Sequence, residues 1–223
     1  NPTESGANTG VDSLICGEEN YDNSGDHCYI NGEKNYGNSG NDCSINGEEN
    51  HDNSGNDCSI NGSFNYDNSG DHCEINGNQN YGNQGDNCSL NGDQNYDNAG
   101  DDCSINGLLN IANSGNHCEI NGDYNINNSG DNCTINGNYN INNSGSNCSL
   151  SGEFNYGNTG DDCIISGEYN FGNSGRDCSI SGSNASNNAL DFARVHGGGA
   201  NARTIDLIAQ IDSVGTGATE LLL

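Results

Sequence analysis

A cysteine returns every fifteen residues along this chain, at Cys28, Cys43, Cys58, Cys73, Cys88, Cys103, Cys118, Cys133, Cys148, Cys163 and Cys178. A period kept this strictly is the mark of one small unit stacked on copies of itself, and it settles the organisation before any other feature. Each unit reads approximately Cys-Ser-Ile-Asn-Gly-x-x-Asn-Tyr-x-Asn-Ser-Gly-Asp-Asp, and its positions are numbered below from the cysteine. Position 3 is Ile or Leu from Ile15 to Ile180, and position 5 is Gly from Gly17 to Gly182. Position 8 is Asn at Asn20, Asn35, Asn50, Asn65, Asn80, Asn95, Asn110, Asn125, Asn140, Asn155 and Asn170, and position 11 is Asn from Asn23 to Asn188.

Helical solenoids need about 33 residues or more per unit, and two Gly with three or four Asn per unit disfavour a helix by propensity. Strands and turns remain. Asn-Gly (Asn31-Gly32) and Asn-Ser-Gly (Asn38 to Gly40) are turn sequences that supply positive φ at corners. Between them lie short extended stretches such as 42–45 and 48–52. Stacked coils pair each strand in parallel with its copy about 4.8 Å away. The expected fold is therefore an all-β parallel β-solenoid, or β-helix, of about twelve fifteen-residue coils with a non-repeat C-terminal tail. Residues 1–7 form a lead-in, 8–188 the solenoid, and 189–223 a cap or donor segment after the hinge at Gly197-Gly198-Gly199.

Alternation along the strand points Cys and Ile inward and position 2 outward. The invariant Asn columns belong at corners or inside, where stacked amides bond to one another as in cross-β ladders. Position 9, with Tyr21, Tyr36, Tyr66, Tyr81, Tyr96, Ile111, Ile126, Ile141, Tyr156 and Phe171, is either a second core column or an outward aromatic stripe.

The cysteine column admits two states. Stacked Cα atoms about 4.8 Å apart fall inside the window for disulfides, although parallel in-register side chains suit the required dihedral poorly. Bridges are the expectation, and a buried ladder of reduced thiols is the alternative. Cys16 breaks the pattern, standing at position 4 while Ser13 takes the cysteine position. It either pairs with Cys28 as a cap or, with Cys178 at the far end, links successive subunits. Tetrahedral metal binding is not expected, because a linear column offers no tetrahedron. Acidic residues before each cysteine (Asp42, Asp57, Asp86, Asp101, Asp102, Asp161, Asp162) leave Ca²⁺ as a minor alternative to charge spread on a solvated face. No catalytic residue stands apart from the repeat; His27, His72 and His117 lie three coils apart and read as surface residues.

A net charge of −28, with four basic residues, opposes nucleic-acid binding and anionic membrane surfaces, and no apolar run approaches the roughly 20 residues that span a bilayer. Twelve cysteines suit an oxidising compartment. Acceptor triplets for glycosylation, such as Asn61-Gly62-Ser63, agree with that. The expectation is a secreted or cell-surface chain, mature from Asn1 with its leader removed. The apolar tail, with Ile205, Leu207, Ile208, Ile211, Val214, Leu221, Leu222 and Leu223, forms either an amphipathic helix or a strand pair. It either caps its own stack or reaches to a neighbour.

The run Phe154-Asn-Tyr-Gly-Asn-Thr-Gly160 resembles the Asn-Gly-rich pentapeptide repeats of some mycobacterial surface proteins, which lack this cysteine column. A fifteen-residue β-helical coil resembles certain insect antifreeze proteins, whose ice face carries regular Thr-x-Thr ranks where this chain has Thr134 and Thr159. Neither resemblance transfers a functional residue. The functional expectation is a non-enzymatic extracellular structural protein, a filament or surface-coat subunit that stacks head-to-tail with itself. The alternative is a monomeric binding module, ice-binding or an adhesin stalk.

Overall fold

The computed structural model describes residues 8–197 and 203–207. One sheet runs its length, with strands in strict chain order. It begins at β1 (Leu14–Cys16) and continues through one short strand per coil to the twelfth, β12 (Ser179–Ser183), then β13 (Ala193–Gly197) and β14 (Arg203–Leu207). The first thirteen strands are parallel and each is offset from the next by fifteen residues, so that Ile30 pairs with Ile45 and Ile45 with Ile60. The expected β-solenoid of about twelve turns is the fold, and no helix occurs among the described residues.

Each coil holds one strand of three to five residues over positions 2 to 6 and, opposite it, a single bridging residue at position 9. This is less strand than the two or three per coil expected, because the chain turns too often. Non-glycine residues adopt φ near +55° at positions 7, 10 and 15 of nearly every coil, as at Glu49, Asp52 and Asp57. An isolated chain avoids this region, but here each such N–H is fixed to the coil before it, Glu49 to the Glu33 carbonyl and Asp52 to that of Tyr36. Asp, Asn and His tolerate the geometry best, and they fill most of positions 10 and 15.

Glycine serves two different needs. At position 5 it takes positive φ, as at Gly47 (φ 134°). At position 13, in Asn-Ser-Gly, φ is not positive, contrary to the corner expected there. A Cβ on Gly40 would run into the carbonyl oxygen of Gly55 in the next coil. Glycine stands there because the stacked backbones approach too closely for any side chain.

The core is thin: one Ile or Leu and one Cys per coil, all buried, flanked by the two Asn columns, also buried. The repeat does not end at Asn188. Ala193 occupies the cysteine position and Val195 the isoleucine position of one further coil, both buried, with Ile180 paired to Val195. Residues 189–197 therefore belong to the solenoid. Beyond them β14 turns back and pairs antiparallel with β13, Ile205 opposite Val195 and Leu207 opposite Ala193. Of the two alternatives for the tail, this part is a strand, and it lies on its own chain. Ile208, Ile211, Val214, Leu221, Leu222 and Leu223, and the Gly198-Gly199 part of the hinge, lie outside the described residues.

Candidate functional site

The repeat's invariant side chains form columns that run along the axis, with a narrow internal channel between them. Along position 8, the amide of Asn35 donates to Asn20 Oδ1 in the coil before (3.0 Å) and to the Gly47 carbonyl in the coil after (3.0 Å). Its Oδ1 accepts the backbone N–H of Asn50 (3.1 Å). Position 11 repeats the scheme: Asn38 donates to Asn23 Oδ1 (2.9 Å) and to the Asn50 carbonyl (3.0 Å). The second ladder thus hangs on the backbone of the first. No buried side-chain nitrogen or oxygen among the described residues lacks a hydrogen-bond partner, as a buried polar network must achieve if it is to stabilise.

The cysteines follow the same rule in sulfur. Cys43 Sγ donates to the Gly55 carbonyl (3.1 Å), and the Cys43 N–H donates to Cys28 Sγ (3.5 Å). All twelve cysteines are thiols in this structure, so the expected disulfides are not formed. The same contacts recur from coil to coil, and no pair of cysteines is singled out for bonding. At the first coil Ser13 takes the slot without disturbance: its hydroxyl donates to the Gly25 carbonyl (2.9 Å) and accepts the Cys28 N–H (3.0 Å). Burial holds the Cys28 thiol above the ordinary range, opposed by the hydrogen bond from the Cys43 N–H and reinforced by the Asp42 carboxylate. Cys178 is raised for the same first reason.

The pairing of Cys16 with Cys28 is not realised. Cys16 sits opposite Asn31 in the strand register, half-buried, whereas Cys28 points into the core. Cys178 lies beneath the coil of Ala193 and Val195, and its thiol reaches the Leu190 carbonyl (3.2 Å).

One further role escaped the sequence reading. At position 14 the side chains reach back one coil as acceptors: Asp71 N–H donates to Asp86 Oδ1 (2.8 Å) and Asp86 N–H to Asp101 Oδ1 (2.9 Å), with Asn41 and Asn56 in the same role. The restriction of this column almost wholly to Asp and Asn was the available signal, since both place an oxygen at the same reach. These carboxylates are committed to backbone, and no group of three or more His, Cys, Asp or Glu converges as a metal site among the described residues. Position 15 lies outside, where His27 faces Asp42 (3.7 Å), His72 faces Asp57 (3.4 Å) and His117 faces Asp102 (3.3 Å), all exposed.

Position 9 faces outward. Tyr21, Tyr36, His51, Tyr66, Tyr81 and Tyr96 stack ring on ring, with centroids 4.6 to 5.0 Å apart and planes within 4°. A second stack at position 7 runs through Tyr124, Tyr139, Phe154 and Tyr169. Ring faces cover each other, so edges and hydroxyls meet solvent. Stacking desolvates the Tyr81 phenol and raises its pKa, with the Tyr96 phenol adding to the effect. Phe64, Tyr66, Gln79, Tyr81, Gln94, Tyr96 and Leu109 line a groove of about 400 Å³.

No protein-family profile matches the sequence, and no curated protein does. Among solved structures the chain is similar to UDP-N-acetylglucosamine O-acyltransferase from Moraxella catarrhalis RH4, at 14% identity over 89% of this chain and 72% of that one, with a TM-score of 0.16. A likeness so slight carries no argument about activity.

Proposed function

We infer that this chain is an extracellular structural protein, a non-enzymatic subunit that joins copies of itself head-to-tail into a filament or coat. One observation carries the reading: among the described residues the sheet ends in two strands, β1 and β14, each paired on one side only. An unpaired strand edge is a template for another chain. The two edges differ, so joining β14 of one copy to β1 of the next is a heterologous contact, which yields filaments when it does not close. The invariant residues support the same reading, since they are given over to holding coil on coil.

Sedimentation velocity across a wide concentration range tests this. Species growing in multiples of the 23.3 kDa chain are expected. A single 23.3 kDa species at every concentration overturns it. The aromatic groove beside Tyr66, Tyr81 and Tyr96 favours a second reading in that event, a monomeric binding module.

A further inference from the structure

We propose that the buried thiol column binds soft monovalent d¹⁰ cations, the class of Cu⁺ and Ag⁺, each held in line between two successive cysteines. A linear column offers zinc no tetrahedron of four ligands, but it offers a cation that accepts two thiolates at 180° its full set. Thiolate is the ligand type that selects such soft ions.

The spacing fits. Down the column the cysteines repeat the same hydrogen bonds, as Cys28, Cys58 and Cys73 do in donating to a glycine carbonyl and accepting the next cysteine's N–H, so each Sγ is displaced from the next by one coil rise. The stacked rings show that rise as 4.6 to 5.0 Å. Two metal–thiolate bonds of about 2.3 Å, the length typical of zinc–thiolate bonds, span ~4.6 Å in line. A narrow apolar channel runs beside the sulfurs, bounded by the Ile column, the Asn column of position 11 and the Gly column of position 13. Its largely apolar lining disfavours the harder, strongly hydrated cations. Serine at Ser13 satisfies the same hydrogen bonds as cysteine, so the ladder alone does not require sulfur at the other eleven positions.

The balance is simple. Two thiols and one cation give one RS–M–SR unit with a single negative charge and release two protons; no redox change occurs. The N–H of the following cysteine already points at each sulfur, as Cys103 N–H does at Cys88 Sγ (3.4 Å), and a hydrogen bond to a thiolate favours the charged form. A sulfur carrying its Cβ and one in-line metal has no second bonding direction along the same axis, so the cations occupy alternate gaps. Eleven column cysteines then hold five cations and leave one thiol over.

This parity supplies the test. The reduced full-length protein is titrated anaerobically with Ag⁺, and with Cu⁺ against a competing chelator, while proton release and metal X-ray absorption are recorded. The expected result is five cations per chain, two protons for each, and two sulfur neighbours at about 2.3 Å. Cys103→Ser cuts the column into two runs of five, each holding two pairs, and is expected to lower capacity to four. Cys88→Ser leaves runs of four and six and is expected to keep five. Cys16→Ser, outside the column, is expected to change nothing. Circular dichroism identical to that of the parent shows that each variant is folded. An equal drop in Cys88→Ser and Cys103→Ser, a shell of three or more sulfurs, or no binding overturns the proposal. It is independent of the filament reading, which sedimentation decides separately.

Discussion

Asn80 serves three coils at once. Its N–H donates to Asn65 Oδ1, its side-chain amide donates to the Gly92 carbonyl, and its own oxygen accepts the Asn95 N–H. Asn80→Ala orphans a buried N–H and a buried carbonyl at about 1–3 kcal/mol each, so chemical denaturation is expected to show a loss of roughly 2–6 kcal/mol. The chain itself places alanine in this column once, at Ala185, in a coil near the end of the stack. Glycines separate by the need each meets. Gly100→Ala drives a Cβ into the Gly115 carbonyl and is expected to cost about 3 kcal/mol, the upper range for overpacking. Gly157 sits at φ 62° with open space around its Cα, a position where Asn127 and Asn142 already stand, so Gly157→Asn is expected to shift stability by less than about 0.5 kcal/mol. The periodic sequence shows that all these residues are constrained. It does not show by what, because close backbone approach and positive φ both select glycine.

At the scale of the coil, strand register was legible because alternation of Cys and Ile admits one buried face, and the position 8 ladder was legible because a repeated buried amide has few other uses. The acceptor role of position 14 was not, since a column of Asp and Asn reads equally as solvated charge. The outward stacking at position 9 was left open for a similar reason: Tyr suits either side of a thin wall. The cysteine column, open in the sequence between bridges and a thiol ladder, stands here as thiols, with no pair marked out by the repeat. Reduced thiols carry a consequence for pH. Cys28 and Cys178 hold their protons above the ordinary thiol range because they are buried, whereas unfolded thiols ionise from about pH 8.5. The folded state then binds more protons than the unfolded one above that value, so stability is fully present below about pH 8.5 and falls as pH rises past it. The urea midpoint, measured under reductant from pH 8 to 10.5, is expected to decline. Replacing Cys28 and Cys178 by serine, which Ser13 shows the column accepts, is expected to flatten that decline.

The described solenoid is a rod with a different strand at each end of its sheet, and the chain carries a charge of −28. Side-by-side packing of such rods sets like charge against like along their full length, while end-to-end joining brings together only one coil from each. Added salt, which shortens the range of that repulsion, is accordingly expected to speed growth of the filament. Where the solenoid stops was the least legible part of the sequence. Ala193 and Val195 take the core positions of a coil in which no Asn-Gly or cysteine marks the repeat, and the Gly197-Gly198-Gly199 hinge marks a change of path without saying that β14 pairs antiparallel to β13. The central claim, a coil stack that continues from one chain into the next, is met most directly by electron microscopy of the purified protein, with diffraction along the particle axis. Unbranched filaments much longer than one solenoid, with a layer line near 4.8 Å that persists under reductant, are the predicted result. Separate rods of uniform length, about 60 Å at ~4.8 Å per coil, at every concentration and salt would contradict it.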